Sequence, residues 1–214
     1  MRVSKNPDVR RSELIEAAEI LFREKGFKQT SVSDIVKKVG VAQGTFYYYF
    51  DSKDDALNAV IDHYIDNYKA GLERLLADEG LTPLRKVEII VNDALGMHTC
   101  DRQFVEFLHS EENLVTHQKY MIKSFGETIP LMTKIVRQGI EAGAFDVDYP
   151  EETVEMMAYA FGYLEDALSR SPQDARYDTR LRAAERLIER ALGIARGSLH
   201  ITPSTDRSLF TTHG

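Results

Sequence analysis

Apolar residues recur along this chain at intervals of three and four, almost from end to end, and that spacing permits helices and little else. Leu14, Ala17, Ala18, Leu21 and Phe22 form one such stripe ahead of Gly26, which predicts a first helix over about 9–25. Val32, Ile35, Val36 and Val39 form a second. Ser31 and Asp34 open it at capping-box spacing, and Gly40, able to take the left-handed conformation of a sharp turn, closes it. A short third helix follows over about 43–49. Ser52 and Asp55 repeat the start signal and open a long fourth helix to about residue 78, with Leu57, Val60, Ile61, Tyr64, Tyr68, Leu72 and Leu75 on its buried side. At 1.5 Å per residue it spans roughly 35–40 Å. Further helices are expected over about 82–97, 101–110, 113–142, 151–170 and 178–197. Pro130 is expected to kink or split the longest of them, and Pro172 separates the last two. No period-2 strand and no internal repeat interrupts the pattern. The fold class is therefore all-α with about nine helices: a three-helix head (1–52), a larger helical body (53–197) and a flexible C-terminal tail (198–214) rich in Ser, Thr, Pro and Gly.

Charge divides the chain in the same place. The net charge is −7, which taken whole argues against nucleic acid. Residues 1–50, however, carry nine basic and six acidic side chains, a net +3, and leave −10 for the rest. A basic head on an acidic body suits a molecule that meets phosphates at one end only. No apolar run approaches the ~18 residues of a membrane span. The polar N-terminus has no apolar stretch behind it, and a single cysteine, Cys100, allows no internal disulfide. A cytoplasmic protein without a membrane partner is expected.

Two short helices joined at Gly40-Val41 suggest a helix-turn-helix, whose second helix enters the major groove of DNA. Phe46 and Phe50, four apart, share a face and with Val41 are expected to pin the third helix to the first two. Gln43, Gly44, Thr45, Tyr47 and Tyr48 then turn outward. Gln can pair bidentately with adenine, Gly allows close approach to the duplex, and Thr offers a hydroxyl to phosphate or a methyl to thymine. Tyr47, Tyr48 and Tyr49 cannot all be buried on a helix, because neighbours point about 100° apart. Phenol hydroxyls bond well to phosphate oxygens, and Tyr49 is the one most readily absorbed by the core. Lys53, at the start of the fourth helix, adds a charge for the same backbone. Ser31 and Ser52 read equally well as plain helix caps.

From Arg11 to Leu57 the residues resemble the DNA-binding domain of the tetracycline-repressor (TetR) family. The resemblance is carried by Ala17-Ala18, Leu21-Phe22, Gly26-Phe27, Thr30-Ser31-Val32, Asp34-Ile35, Gly40-Val41, Gly44-Thr45-Phe46-Tyr47, Tyr49-Phe50, Lys53 and Leu57. It covers under a quarter of the chain, densely and without gaps. It implies that Gln43, Gly44, Thr45 and Tyr47 occupy base- and backbone-contacting positions. Ser31, Ser33, Tyr48, Tyr49 and Lys53 would lie mainly on the phosphate side. Asp51, an acid beside the expected phosphates, departs from the pattern. The implied function is a ligand-responsive transcriptional regulator, by the family's usual mode a repressor. It would bind double-stranded operator DNA as a homodimer and be released by a small-molecule effector.

For the dimer, the last two helices supply Met157, Phe161, Leu164 and Leu168, and Leu181, Ala184, Leu187, Ile188 and Ala191. Two helices per subunit would make a four-helix bundle, although a core face and a dimer face look alike in sequence. For the effector pocket, the expected lining is Met97, Phe104, Phe107, Leu108, Met121, Phe125, Met132, Met156, Tyr159 and Tyr163, with His98, His109, His117 and Glu165 as polar anchors. The fourth helix, running from Lys53 into the body, is the natural lever between pocket and head. No nucleophile elbow, phosphate-binding loop, dinucleotide fingerprint or zinc spacing occurs, so no catalytic residue, cofactor or metal site is expected. Two rivals remain: a metal- or redox-responsive regulator using Cys100 and nearby His, and a helical adaptor that binds no DNA.

Overall fold

The computed structural model describes residues 6–100, 114–170 and 175–202, with the backbone alone for 96–100 and 169–170. Eight helices occupy the described residues: α1 (Pro7–Lys25), α2 (Val32–Val39), α3 (Gln43–Tyr49), α4 (Lys53–Ala77), α5 (Pro83–Cys100), α6 (Leu114–Glu141), α7 (Pro150–Arg170) and α8 (Tyr177–Ala191). No strand is present among them. The helix expected over 101–110 lies outside the described residues. The chain forms two compact units, Met1–Asp66 and Asn67–Gly214, and the division between them falls inside α4.

The first unit is built on the stripes read from sequence. Leu14, Ala18 and Phe22 of α1, Ile35 of α2, Phe46 and Phe50 around α3, and Ala56, Leu57 and Val60 of α4 are all buried. Asn6 caps α1 through its side chain, which accepts from the Asp8 N–H. At α2 the capping box forms as expected: Asp34 N–H donates to Ser31 Oγ (3.2 Å) and Ser31 N–H to Asp34 Oδ2 (2.8 Å). Gly40 ends that helix at φ 76°, ψ 37°. Its N–H and that of Val41 both reach the Val36 carbonyl, at 2.9 and 3.0 Å. A residue with Cβ would resist that backbone, so the sharp turn depends on glycine.

In the second unit α6 packs on both α5 and α7, and α8 packs on α7. The core joins Leu72 and Leu75 of α4, Val87, Val91 and Leu95 of α5, Leu131 and Ile135 of α6, Val154 and Leu168 of α7, and Ile188 of α8. Lys86 is buried, and its ammonium donates to the Leu76 carbonyl at the end of α4 (2.9 Å) and to Gln138 Oε1 (3.0 Å). These bonds satisfy a charge that would otherwise be costly to bury.

Three expectations are corrected here. Pro130 does not split its helix: α6 is continuous from Leu114 to Glu141. Proline removes the N–H that would bond the Gly126 carbonyl, but Pro130 and Gly126 are both exposed, so water can take that carbonyl. The last helix ends at Ala191, not near 197, because Gly193 turns the chain at φ 65°. Residues 198–202, expected as part of a loose tail, are held in place. Leu199 and Ile201 are buried in the core. The strap's N–H groups donate to side chains of α5 and α8: Gly197 and Leu199 to Glu189 Oε1, Ile201 to Glu185 (2.9 Å), His200 to Glu88 (3.4 Å) and Thr202 to Asn92 (2.6 Å). Polar composition suggested a tail, but acceptors on two helices supply the backbone partners that a sheet would have given.

Candidate nucleic-acid interface

The outward face of α3 is the candidate DNA-reading surface, and burial sorts its residues. Phe46 and Phe50 are fully buried, with ring centroids 5.3 Å apart, and they seat the helix against the first unit's core. Arg11 lies 5.3 Å from the centre of the Phe50 ring. On the other side Gln43 and Gly44 are exposed, Tyr47 is 53% exposed and Tyr48 75%. Thr45 and Tyr49 are half-buried, and Tyr49 stacks edge-on with Tyr48 at 4.8 Å. A Cβ added to Gly44 would meet nothing within 4 Å. The fold makes no demand for glycine there, so the open position suits a surface that another molecule approaches closely.

Ser31 and Ser33 are exposed at the start of α2. Ser31 is committed inside the chain as well: its hydroxyl donates to Asp34 Oδ2 (2.7 Å) while accepting from the Asp34 N–H. Asp34 also pairs with Lys25 at 2.7 Å, and the hydrogen bonds from Lys25 and Ser31 hold its carboxyl well below the usual carboxylate range. Lys37 and Lys38 stand exposed in the last turn of α2. Lys53, expected from sequence on the phosphate side, has partners within the chain. It is half-buried, its ammonium donates to the carbonyls of Phe27 (2.7 Å) and Thr30 (2.9 Å), and it sits 4.1 Å from the centre of the Phe27 ring. Thr30 is itself buried and bonds back to the Gly26 carbonyl at 2.8 Å. Lys53 thus buckles the start of α4 to the corner between α1 and α2.

In sequence, a model described as bacterial regulatory proteins, tetR family, matches residues 14–60. A second, described as the tetracyclin repressor-like C-terminal domain, matches residues 97–175. The chain belongs to the TetR family. Members of this family are DNA-binding transcriptional regulators, and the first unit carries their helix-turn-helix. The repressor KstR2 of Rhodococcus jostii is 27% identical over 160 residues, 73% of this chain and 75% of that protein. An uncharacterized HTH-type regulator of Bacillus subtilis, YvdT, is 44% identical over 70 residues, 31% of this chain and 34% of that one. Among solved structures, a TetR regulator from Haloarcula marismortui shares the fold with a TM-score of 0.67 at 16% identity, covering 86% of this chain and 98% of that one. RolR, solved with resorcinol, gives 0.63 at 18% identity, covering 92% and 98%.

Burial divides the residues assigned from sequence to pocket and dimer. Leu168, Ala184 and Ile188, expected at a dimer interface, are buried in the second unit's own core. Met157, Phe161, Leu164 and Leu181 are half-buried against that core, Ala191 is half-buried, and Leu187 is 48% exposed. Met156, Tyr159 and Tyr163, expected to line a pocket, are 67, 52 and 77% exposed and form an outward stripe at i, i+3, i+7. Helix α7 is apolar on two sides, and composition alone does not say which side faces the core. Met121, Phe125 and Met132 of α6 are half-buried as pocket candidates would be. Met97, Phe104, Phe107, Leu108, His98, His109 and Cys100 lie outside the residues whose side chains are described. Among the described residues, no group of three His, Cys, Asp or Glu could hold a metal ion, and no helix is long and apolar enough to cross a membrane.

Glu165, expected from sequence as a polar anchor of the pocket, lies in a polar grouping inside the second unit whose other members sequence reasoning did not join to it. Asp93 of α5 and Asp166 of α7 lie near enough to Glu165 of α7 to shift its ionisation, and Glu165 near enough to Tyr68 of α4 and Tyr120 of α6 to shift theirs. Burial, Asp166 and Asp93 push the Glu165 carboxyl up to about 8. Burial and Glu165 raise the Tyr120 phenol above its ordinary range, against a hydrogen bond with Ser124. The signal that could have found them is polar residues at apolar-face spacing: Tyr120, Ser124 and Thr128 recur every fourth residue, and the last two are buried.

Proposed function

We propose that this regulator is a repressor that binds operator DNA as a homodimer and is released when a small molecule occupies the second unit. The observation that carries the DNA reading is the division of α3. Its phenylalanines are spent on the core, while Gln43, Gly44, Tyr47 and Tyr48 stand open on one side. One such helix offers few base contacts, and two related by a two-fold axis read half-sites about one DNA turn apart. The exposed stripe of Met156, Tyr159 and Tyr163, with Leu187 on α8, supports a subunit contact there, since large exposed apolar patches mark interaction sites. Helix α4 begins in the first unit and ends in the second, and we assign it the coupling between ligand and DNA. Coupling requires that the ligand prefer one arrangement of the dimer over the other.

The test is selection of DNA from random sequence by the purified protein, followed by anisotropy titrations of the selected site at several salt concentrations. A palindromic site bound with a steep negative salt slope is the expected result. Affinity equal for selected and scrambled duplexes would overturn the reading.

A further inference from the structure

Two side chains on one face of α4 tie that helix to the rest of the first unit. At its start Lys53 holds the Phe27 and Thr30 carbonyls. Tyr64 stands at i+11, close to three full turns on, and so leaves the helix from the same face. Its hydroxyl donates to Glu19 Oε1 of α1 (2.9 Å), and both side chains are half-buried. Between the two ties Leu57, Val60 and Ile61 are buried. Apolar contact of that kind resists separation but is not directional, so tilt is opposed mainly by the hydrogen bonds at either end. Arg23 Nη1 is 3.7 Å from the same Glu19 oxygen. A partly exposed ion pair at that distance contributes little, so the hydrogen bond, and not the charge, is what Glu19 offers α4.

The first unit ends at Asp66, just past Tyr64, while α4 continues to Ala77. Whatever fixes the helix over 53–64 therefore fixes the direction in which it leaves the DNA-reading unit. The two ties lie about 16 Å apart along the axis, and a give of about 1 Å at Tyr64 tilts the helix by about 3–4°. Over the whole of α4, about 37 Å, that tilt moves the far end by about 2 Å. A hydrogen bond to a base edge tolerates about half an ångström. We infer that Tyr64 is a positioning residue for operator recognition: seated on Glu19, its hydroxyl makes the first three turns of α4 part of the head and so holds the two recognition helices of a dimer at one spacing. The inference rests on the homodimer reading above and names the residue that sets its precision. With one head on its half-site, the second binds intramolecularly, and the gain depends on how narrowly the linkage holds it over its own half-site. Loss of the Tyr64 tie leaves each head able to bind and lowers that gain.

Anisotropy titrations of the full chain test this on the selected palindrome and on the same duplex with one half-site scrambled. The parent should bind the palindrome at least about tenfold more tightly. Tyr64→Phe keeps the ring and removes the donor. It should bind the single half-site within about twofold of the parent and the palindrome at least about fivefold more weakly. Glu19→Ala should do the same, and the two changes together should cost at most about twofold more than either alone, because all three variants lack one and the same bond. Glu19→Gln keeps an acceptor oxygen for the phenol and should match the parent on both duplexes. Sedimentation velocity should find every variant dimeric. Equal loss on both duplexes from Tyr64→Phe would reveal plain support of the fold and overturn the inference. An unchanged palindrome affinity, Glu19→Gln as harmful as Glu19→Ala, or a Tyr64→Phe protein that sediments as a monomer would overturn it too. The parent's own gain from the second half-site separates the two claims. Where the parent gains and Tyr64→Phe gains as much, only the role of Tyr64 fails. Where the parent gains nothing, the homodimer reading fails and takes this inference with it.

Discussion

At the scale of single residues, the head shows where side chains serve the fold and where they are left for something else. Lys53 belongs to the first kind, because two carbonyls already hold its ammonium. Lys53→Met keeps the stem against Phe27 and removes those bonds. It should destabilise the chain by about 1–3 kcal/mol, as loss of charged hydrogen bonds does, and weaken binding to every DNA. The slope of log affinity against log salt should stay unchanged in titrations of parent and variant, whereas a phosphate contact would lower it by about 1. Gly44 belongs to the second kind. Gly44→Ala should stabilise the head by up to about 1 kcal/mol in chemical denaturation, because glycine is a poor helix former. The same methyl group should cost operator affinity, because on the proposed reading the open space beside Gly44 is where the duplex approaches.

Among elements, what was legible in the sequence is what depends on neighbours in the chain. The capping box at Ser31 and the glycine turn at Gly40 are set by residues within five positions of each other, and both form as read. The course of 198–202 was not legible, because its partners Glu88 and Asn92 lie over a hundred residues away. Which of α7's two apolar sides packs inward was not legible for the same reason: periodicity gives a stripe but not what it faces. Glu189 is the strap's main holder. Burial alone would raise its pKa, but hydrogen bonds from Arg186 and from the Gly197 and Leu199 N–H groups outweigh that and leave the carboxyl below its ordinary range. A carboxyl lowered in the folded state contributes stability that is complete above the ordinary glutamate pKa and is lost as pH falls through the folded one. Glu189→Gln should therefore melt below the parent at pH 7, and the gap should narrow on acidification, as thermal melts from pH 7 to pH 3 would record.

For the whole molecule, the outward stripe on α7 sets the expected assembly. Met156→Glu with Tyr163→Glu places two charges on exposed positions, so each folded unit should survive. Sedimentation velocity should show monomers where the parent sediments as a dimer, and operator binding should fall by the loss of one half-site. A double variant that stays dimeric would move the contact elsewhere. The two units also differ in when their cores can be finished. Every buried side chain of the first lies before Asp66, so it can fold while the rest of the chain is still being made. The second cannot close until Leu199 and Ile201 have left the ribosome. Until then Glu189 waits without the Gly197 and Leu199 N–H donors, and this regulator's sensor is completed only after its reader.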